Sequence, residues 1–176
     1  GSSWEKEHEL ALRLKDEQPE WKLIIAPHEI NQAKIEKLMQ QFGSKSICWS
    51  KVKTDEDLSD YRLLLIDQIG LLSKLYRYAT VALIGGGFGK GIHNLPEAAV
   101  YGVPVIFGPN YHSFKEAHDL IQSGGGFSIK NYTELSHLLH ELSDQEKHQK
   151  AAKAAQTYVM SHSGATEKIF HQITES

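Results

Sequence analysis

The sequence has a single cysteine in 176 residues. Cys48 therefore has no partner for an internal disulfide, and a reducing, cytoplasmic setting is the default expectation. No apolar run approaches the ~20 residues of a membrane span, and no secretory pattern opens the chain. Excess positive charge is missing too: 19 basic against 22 acidic residues leave a formal net charge of -3, so the composition does not point to nucleic acid. Several catalytic signatures are absent. Without Gly-x-Ser-x-Gly there is no nucleophile elbow, and without His-Glu-x-x-His no zincin helix; the one Asp-x-Asp, Asp55-Glu56-Asp57, falls in the charged stretch 51–61 that reads as a solvated connection. Ten histidines invite a metal reading, but His137 and His140, at i, i+3 on an expected helix, complete no ligand set.

What is present suits one domain with a real core, at 40% hydrophobic residues. Strand-length apolar runs fall at 21–26, 46–50, 62–66, 80–84, 105–107 and 127–129. Helical patterns fill most of the intervals. They are expected at 4–17 with Ser2 or Ser3 as N-cap, at 30–42 stopped by Gly43, at 69–78, at 94–101 and at 114–123. Closing helices are expected at 132–142 and 145–161, capped by Asn131 and Asp144, and at 165–173. The charged stretch 51–61 reads as a solvated connection. The alternation predicts a Rossmann-like α/β domain, an open parallel sheet with helices on both faces.

The stretch 84–101, IGGGFGKGIHNLPEAAVY, carries the functional signal. An apolar strand runs into Gly85, Gly86 and Gly87, residues that tolerate positive φ and close approach. A helix expected to open on Asn94, with Glu97 in its first turn, points its positive end at the same place. Backbone N–H groups around Gly86, Gly87 and Phe88, with Lys90 as a point charge, suit a ligand phosphate. The loop is neither of the familiar phosphate motifs. A Walker A loop needs glycine where Ile84 stands and Ser or Thr where Gly91 stands, and the dinucleotide fingerprint needs glycine at Lys90. A sugar-nucleotide site is one reading. The other is a tight strand-to-helix connection, with Asn94 as N-cap and Glu97 as its capping-box partner.

The segments Gly85-Gly86-Gly87-Phe88, His93-Asn94-Leu95-Pro96-Glu97, Pro104-Val105-Ile106-Phe107-Gly108-Pro109-Asn110 and Phe114-Lys115 together resemble the carboxyl-terminal half of the bacterial Kdo transferases. These enzymes move 3-deoxy-D-manno-octulosonic acid (Kdo) from CMP-Kdo to lipid A precursors. The opening Gly1-Ser2-Ser3-Trp4 is similar to the start of that half, which reads as the cut edge of a longer chain. The resemblance implies a GT-B glycosyltransferase, two Rossmann-like domains facing across a cleft. Residues 1–176 would be the nucleotide-sugar binding domain, without the amino-terminal acceptor domain.

It further implies CMP contacts at Pro27 and His28, at Ile69, Gly70 and Leu71, and at Asn94, Leu95, Pro96 and Glu97. Each of the three groups follows an expected strand at its carboxyl end, the ligand edge of an open α/β sheet. His28 stands where the family often has arginine, Leu71 where it often has glutamate, and Leu95-Pro96 inverts the usual order. No cofactor and no metal are implied. The general base would be a glutamate of the other domain, so this chain would bind CMP or CMP-Kdo without catalysing inverting transfer to lipid IVA. The whole enzyme would sit at the cytoplasmic face of the inner membrane through that other domain. Competing expectations are a different GT-B enzyme, a UDP-sugar transferase or epimerase, and a non-catalytic nucleotide-sensing module.

Overall fold

A computed structural model describes residues 1–162; the helix expected at 165–173 lies outside the described residues. The order is α1 (Glu5–Glu17), β1 (Leu23–Ile25), α2 (Gln32–Phe42), β2 (Ser46–Cys48), β3 (Leu63–Leu65), α3 (Leu72–Leu75) and β4 (Ala82–Ile84), then α4 (Pro96–Ala99), β5 (Val105–Phe107), α5 (Lys115–Ser123), β6 (Gly126–Ser128), α6 (Tyr132–Glu141) and α7 (Gln145–His162). Each expected strand is found at its place in the chain. Asn31 and Asn131 cap α2 and α6 by accepting from the Lys34 and Glu134 N–H groups, and Asp144 accepts from Lys147 N at the start of α7. Such caps satisfy N–H groups that the first turn of a helix leaves without partners.

Three local expectations are corrected. The N-cap of α1 is Trp4, not Ser2 or Ser3; the Ser3 hydroxyl is engaged by His8 Nε2 at 2.9 Å and Ala26 O at 3.3 Å. The helix expected at 69–78 is four residues of α-helix followed by the 3₁₀ turn Tyr76–Tyr78. The helix expected at 94–101 is only Pro96–Ala99; its N-cap is Leu95, with no side-chain cap. Proline at the first helical position fits this late start, since its missing N–H has no helical partner to lose there. Gly102, at φ 68, turns the chain away after it.

All six strands run parallel, in two three-stranded sheets rather than one continuous sheet: β1-β3-β2 and β4-β5-β6. Both faces of β5 are covered. Val105 and Phe107 pack with α4, α5 and Ala155 of α7, while Ile106 packs with Leu10 and Leu14 of α1 and the apolar side of α6. The alternation of the strand puts successive side chains on opposite faces, so two helical layers are needed to bury all three. The first sheet packs Ile25, Cys48, Leu63 and Leu65 against Ile35, Leu38 and Phe42 of α2.

Candidate functional site at the carboxyl ends of β1 and β4

The chain leaves β1 through Ala26, Pro27 and His28, and leaves β4 through Gly85. Between these exits lies the start of the chain. Gly1 and Ser3 bond to both sides: Gly85 N donates to Gly1 O at 2.8 Å, and His28 N donates to Ser3 O at 2.9 Å. The two halves of the fold therefore meet at the sheet edge where a ligand is expected.

Three aromatic rings are stacked there. His28 lies between Trp4 and His93, with centroids 4.4 Å from each and interplanar angles of 25° and 21°. Trp4 Nε1 donates to His93 Nε2 at 3.2 Å, so that imidazole nitrogen acts as an acceptor, as in the neutral ring. Burial pushes the His93 pKa down, and the neighbouring His28 and Gly1 amine push it the same way.

The glycine loop is held from within. Gly86 N donates to Glu7 Oε1 at 3.0 Å, while Glu7 Oε2 accepts from Trp4 N at 2.9 Å. Glu7 is 3% exposed, and the two bonds of its carboxylate tie the glycine loop to the first turn of α1. Gly89 N and Gly91 N both donate to Gly86 O, and Asn110 N donates to Gly87 O. Asn110 Nδ2 also reaches Gly89 O at 2.8 Å. A side chain on Gly86 would collide with Gly91 O, and a Cβ on Gly87 would lie 2.5 Å from Gly108 N. These glycines are required because three stretches of backbone cross in contact. The N–H groups of Gly85, Gly86, Gly89 and Gly91 are turned to protein acceptors, so of the amides expected at a phosphate, around Gly86, Gly87 and Phe88, that of Gly86 is already engaged.

The remaining expected residues fall as follows. Asn94 does not cap a helix; its Nδ2 donates to Glu97 Oε1 at 2.8 Å. Leu95 is 0% exposed, so its side chain belongs to the core. Pro96 and Glu97 are half-buried and Phe88 partly so, whereas Lys90 is exposed. Ile69 is 93% exposed beside exposed Gly70 and half-buried Leu71. Gly70 has φ 88, the left-handed region that glycine enters without strain. Among the expected residues, Pro27 lines a cavity of about 300 Å³ together with Trp4 and Lys34; cavities of about 520 and 630 Å³ lie elsewhere.

Trp4, Glu7, His93 and Asn110 complete the arrangement without being among the expected contacts. Trp4, His93 and Asn110 stand within the segments that carry the resemblance, and Glu7 had a local signal: it stands three residues after an N-cap, where a carboxylate reaches back to the cap N–H. Its second bond spans 79 residues of sequence.

Chemically, the edge offers an imidazole stack, an exposed ammonium at Lys90 and a paired amide and carboxylate at Asn94 and Glu97. Cations suit a phosphate, and a carboxylate accepts from hydroxyl groups. Among the described residues no helix is long and apolar enough to cross a membrane.

Comparisons with known proteins give the following. No family model matches the chain. Over 129 residues it is 37% identical to a 3-deoxy-D-manno-octulosonic acid transferase of Aquifex aeolicus, covering 72% of this chain and 35% of that protein. Over 116 residues it is 36% identical to the transferase of the same name from Bordetella pertussis, covering 64% of this chain and 27% of that protein. The chain thus spans about a third of the length of these curated relatives or less. Among solved structures, the C-terminal CMP-Kdo binding domain of WaaA from Acinetobacter baumannii superposes with a TM-score of 0.77 at 18% identity, over 90% of this chain and 86% of that one. The expected fold, a parallel α/β domain of the kind found in the C-terminal half of a GT-B glycosyltransferase, is the one observed.

Proposed function

We propose, from the premise that this chain is a sequence relative of the 3-deoxy-D-manno-octulosonic acid transferases, that it is the donor-binding half of such an enzyme. The observation that carries the reading is the convergence of two strand exits, 26–28 and 85–97, on one polar edge of a fold shared with a CMP-Kdo binding domain. The donor's phosphate lies toward the Lys90 ammonium and the His28 ring, whose N–H can donate. Glu97, fixed by Asn94, accepts from sugar hydroxyls of the nucleotide. Ile69, Gly70 and Leu71 flank the base from the loop after β3. Leu95 and Pro96 contribute only backbone and shape.

On this reading the domain positions CMP-Kdo and stabilises the departing CMP, the part of catalysis that orientation and electrostatics supply. The general base and the lipid A precursor come from a partner domain on the same polypeptide at the inner membrane. Transfer is inverting and uses no metal, and these 176 residues alone bind CMP without turnover.

Calorimetric titration with CMP, UMP and AMP tests the reading, with Asn94→Ala and Glu97→Ala as variants. Selective CMP binding, weakened at least ~5-fold by each substitution, is expected, since a lost hydrogen bond to a charged group is worth roughly 1.5–3 kcal/mol. Preference for UMP would transfer the site to a UDP-sugar enzyme. Absence of binding would leave the glycine loop as the tight backbone crossing that its contacts already require.

A further inference from the structure

The loop that leaves β3 is held at both ends and bare in the middle. At its start the Asp67 carboxylate takes two bonds from one residue: Ser50 N donates to Oδ1 at 2.9 Å, and the Ser50 hydroxyl donates to Oδ2. Ser50 lies in the 3₁₀ turn Trp49–Lys51 that leaves β2, so this bracket joins two strand exits 17 residues apart in the chain. Just before it, Ile66 N donates to Ile25 O at 2.8 Å, and Ile66 is 2% exposed. At the far end, Leu71 O accepts from Lys74 N and Leu75 N as α3 begins.

Between these anchors Gln68, Ile69 and Gly70 enter no hydrogen bond among the described residues. Their N–H and C=O groups stand at the carboxyl edge of the sheet, where ligands of open α/β folds approach. Ile69 is 93% exposed, beyond Tyr78 at 73% and Met160 at 66%. Gly70 has φ 88, and a Cβ added to it would meet nothing within 4 Å. No packing holds the tip, so its pose is set by its two anchors. A bare tip of this kind loses conformational freedom when it binds, unless something orders it beforehand.

We propose that Asp67 is a positioning residue for nucleotide recognition, a role that rests on the donor-site reading above. By bracketing Ser50 it orders residues 68–70, so that their unpaired peptide groups meet the edge of the base while Ile69 covers its face. Asp67 itself touches no ligand. Cytosine presents an amino donor where uracil presents a carbonyl acceptor. A peptide C=O fixed at the tip therefore accepts from the first and repels the second, and one free to swing does neither well.

Calorimetric titration of the 176-residue chain and its variants with CMP and UMP tests this. Asp67→Ala is expected to weaken CMP roughly fivefold or more, the scale set by re-ordering about one residue of backbone, and to move the CMP-to-UMP affinity ratio toward one. Asp67→Asn can rebuild both bonds, its Oδ1 accepting from Ser50 N and its Nδ2 donating to the Ser50 hydroxyl oxygen. It should bind CMP nearly as the parent does. Ser50→Ala should weaken CMP alone and add little in the Asp67→Ala background, because the two residues share one bracket. Melting midpoints should stay close to the parent's, since the bracket lies at the surface.

An Asn variant as weak as the Ala variant would set the carboxylate against the ligand and overturn the positioning role. Unchanged CMP affinity in Asp67→Ala, or a loss that leaves the CMP-to-UMP ratio intact, would overturn it as well. If the parent chain binds neither nucleotide, the donor-site reading fails and takes this role with it. CMP bound equally by the parent and by Asp67→Ala removes the role of Asp67 alone.

Discussion

The two halves of the fold are built from the same parts and differ in how they are covered. In β4-β5-β6 the central strand has no exposed residue and lies between two helical layers. In β1-β3-β2 the residues buried with α2 lie on one side, while Ile24 and Leu64 stay partly exposed. A strand in the first setting loses nearly all its apolar surface to neighbours; a strand in the second retains some of it in water. The lesson is that the glycine loop rises from the better-buried half, and that Gly1, Ser3, Trp4 and Glu7 couple it to the other.

Four changes would break or sharpen that contrast. The largest effect is expected from Phe107→Ala in the covered half, about 3–5 kcal/mol by urea denaturation, against roughly 1 kcal/mol for Leu64→Ala in the open half. Equal costs would erase the distinction. Next, Glu7→Ala leaves the buried Gly86 N–H without its acceptor and is expected to cost about 1–3 kcal/mol. Glu7→Gln, which keeps an acceptor for one of the two amides, should cost less. Amide exchange at Gly86 reads the change directly.

Gly87→Ala drives a Cβ against Gly108 N at 2.5 Å and should cost about 1–3 kcal/mol. Gly89→Ala, whose Cβ would meet only Gly86 O at 3.6 Å, should leave the melting midpoint unchanged. If Gly89→Ala were the more damaging, the backbone-crossing account of the loop would fail.

A last effect concerns pH. The Gly1 amine is lowered in the folded protein from 8.0 to about 5 by burial, and His93 and His8 are lowered from 6.5 chiefly for the same reason. Between the folded and unfolded values the unfolded chain binds more protons, so these groups weaken the fold as pH falls. Their effect is absent above about pH 8, grows as the unfolded amine and then the imidazoles protonate, and saturates below the folded values. Melting midpoints should decline from pH 8 to pH 5. Acetylation of the Gly1 nitrogen should flatten the upper part of that decline, while a His93→Ala change should act only on the part below 6.5.

Much of this was legible along the chain because it is local. Apolar runs of strand length, Asn131 and Asp144 as caps, and the stop at Gly43 all follow from interactions within a few residues. The glycine cluster after β4 was legible as a place where backbone must approach something. Its partner was not: periodicity carries no information about whether a glycine faces a phosphate or the Gly108 backbone. The helix ends near the site were misjudged for a related reason, since Asn94 had a side-chain partner in Glu97 that competed with its capping role.

The sequence by itself determined the α/β alternation, the parallel sense of the strands and the identity of 84–101 as the point of interest. It did so because hydrophobic period and turn chemistry act over short distances. Only the tertiary structure decided that Glu7 holds Gly86, that His28 stacks between Trp4 and His93, and that β1 and β4 stand apart with Gly1 between them. Those contacts join residues far apart in the chain, and they form only when packing of whole elements brings the two halves to one edge.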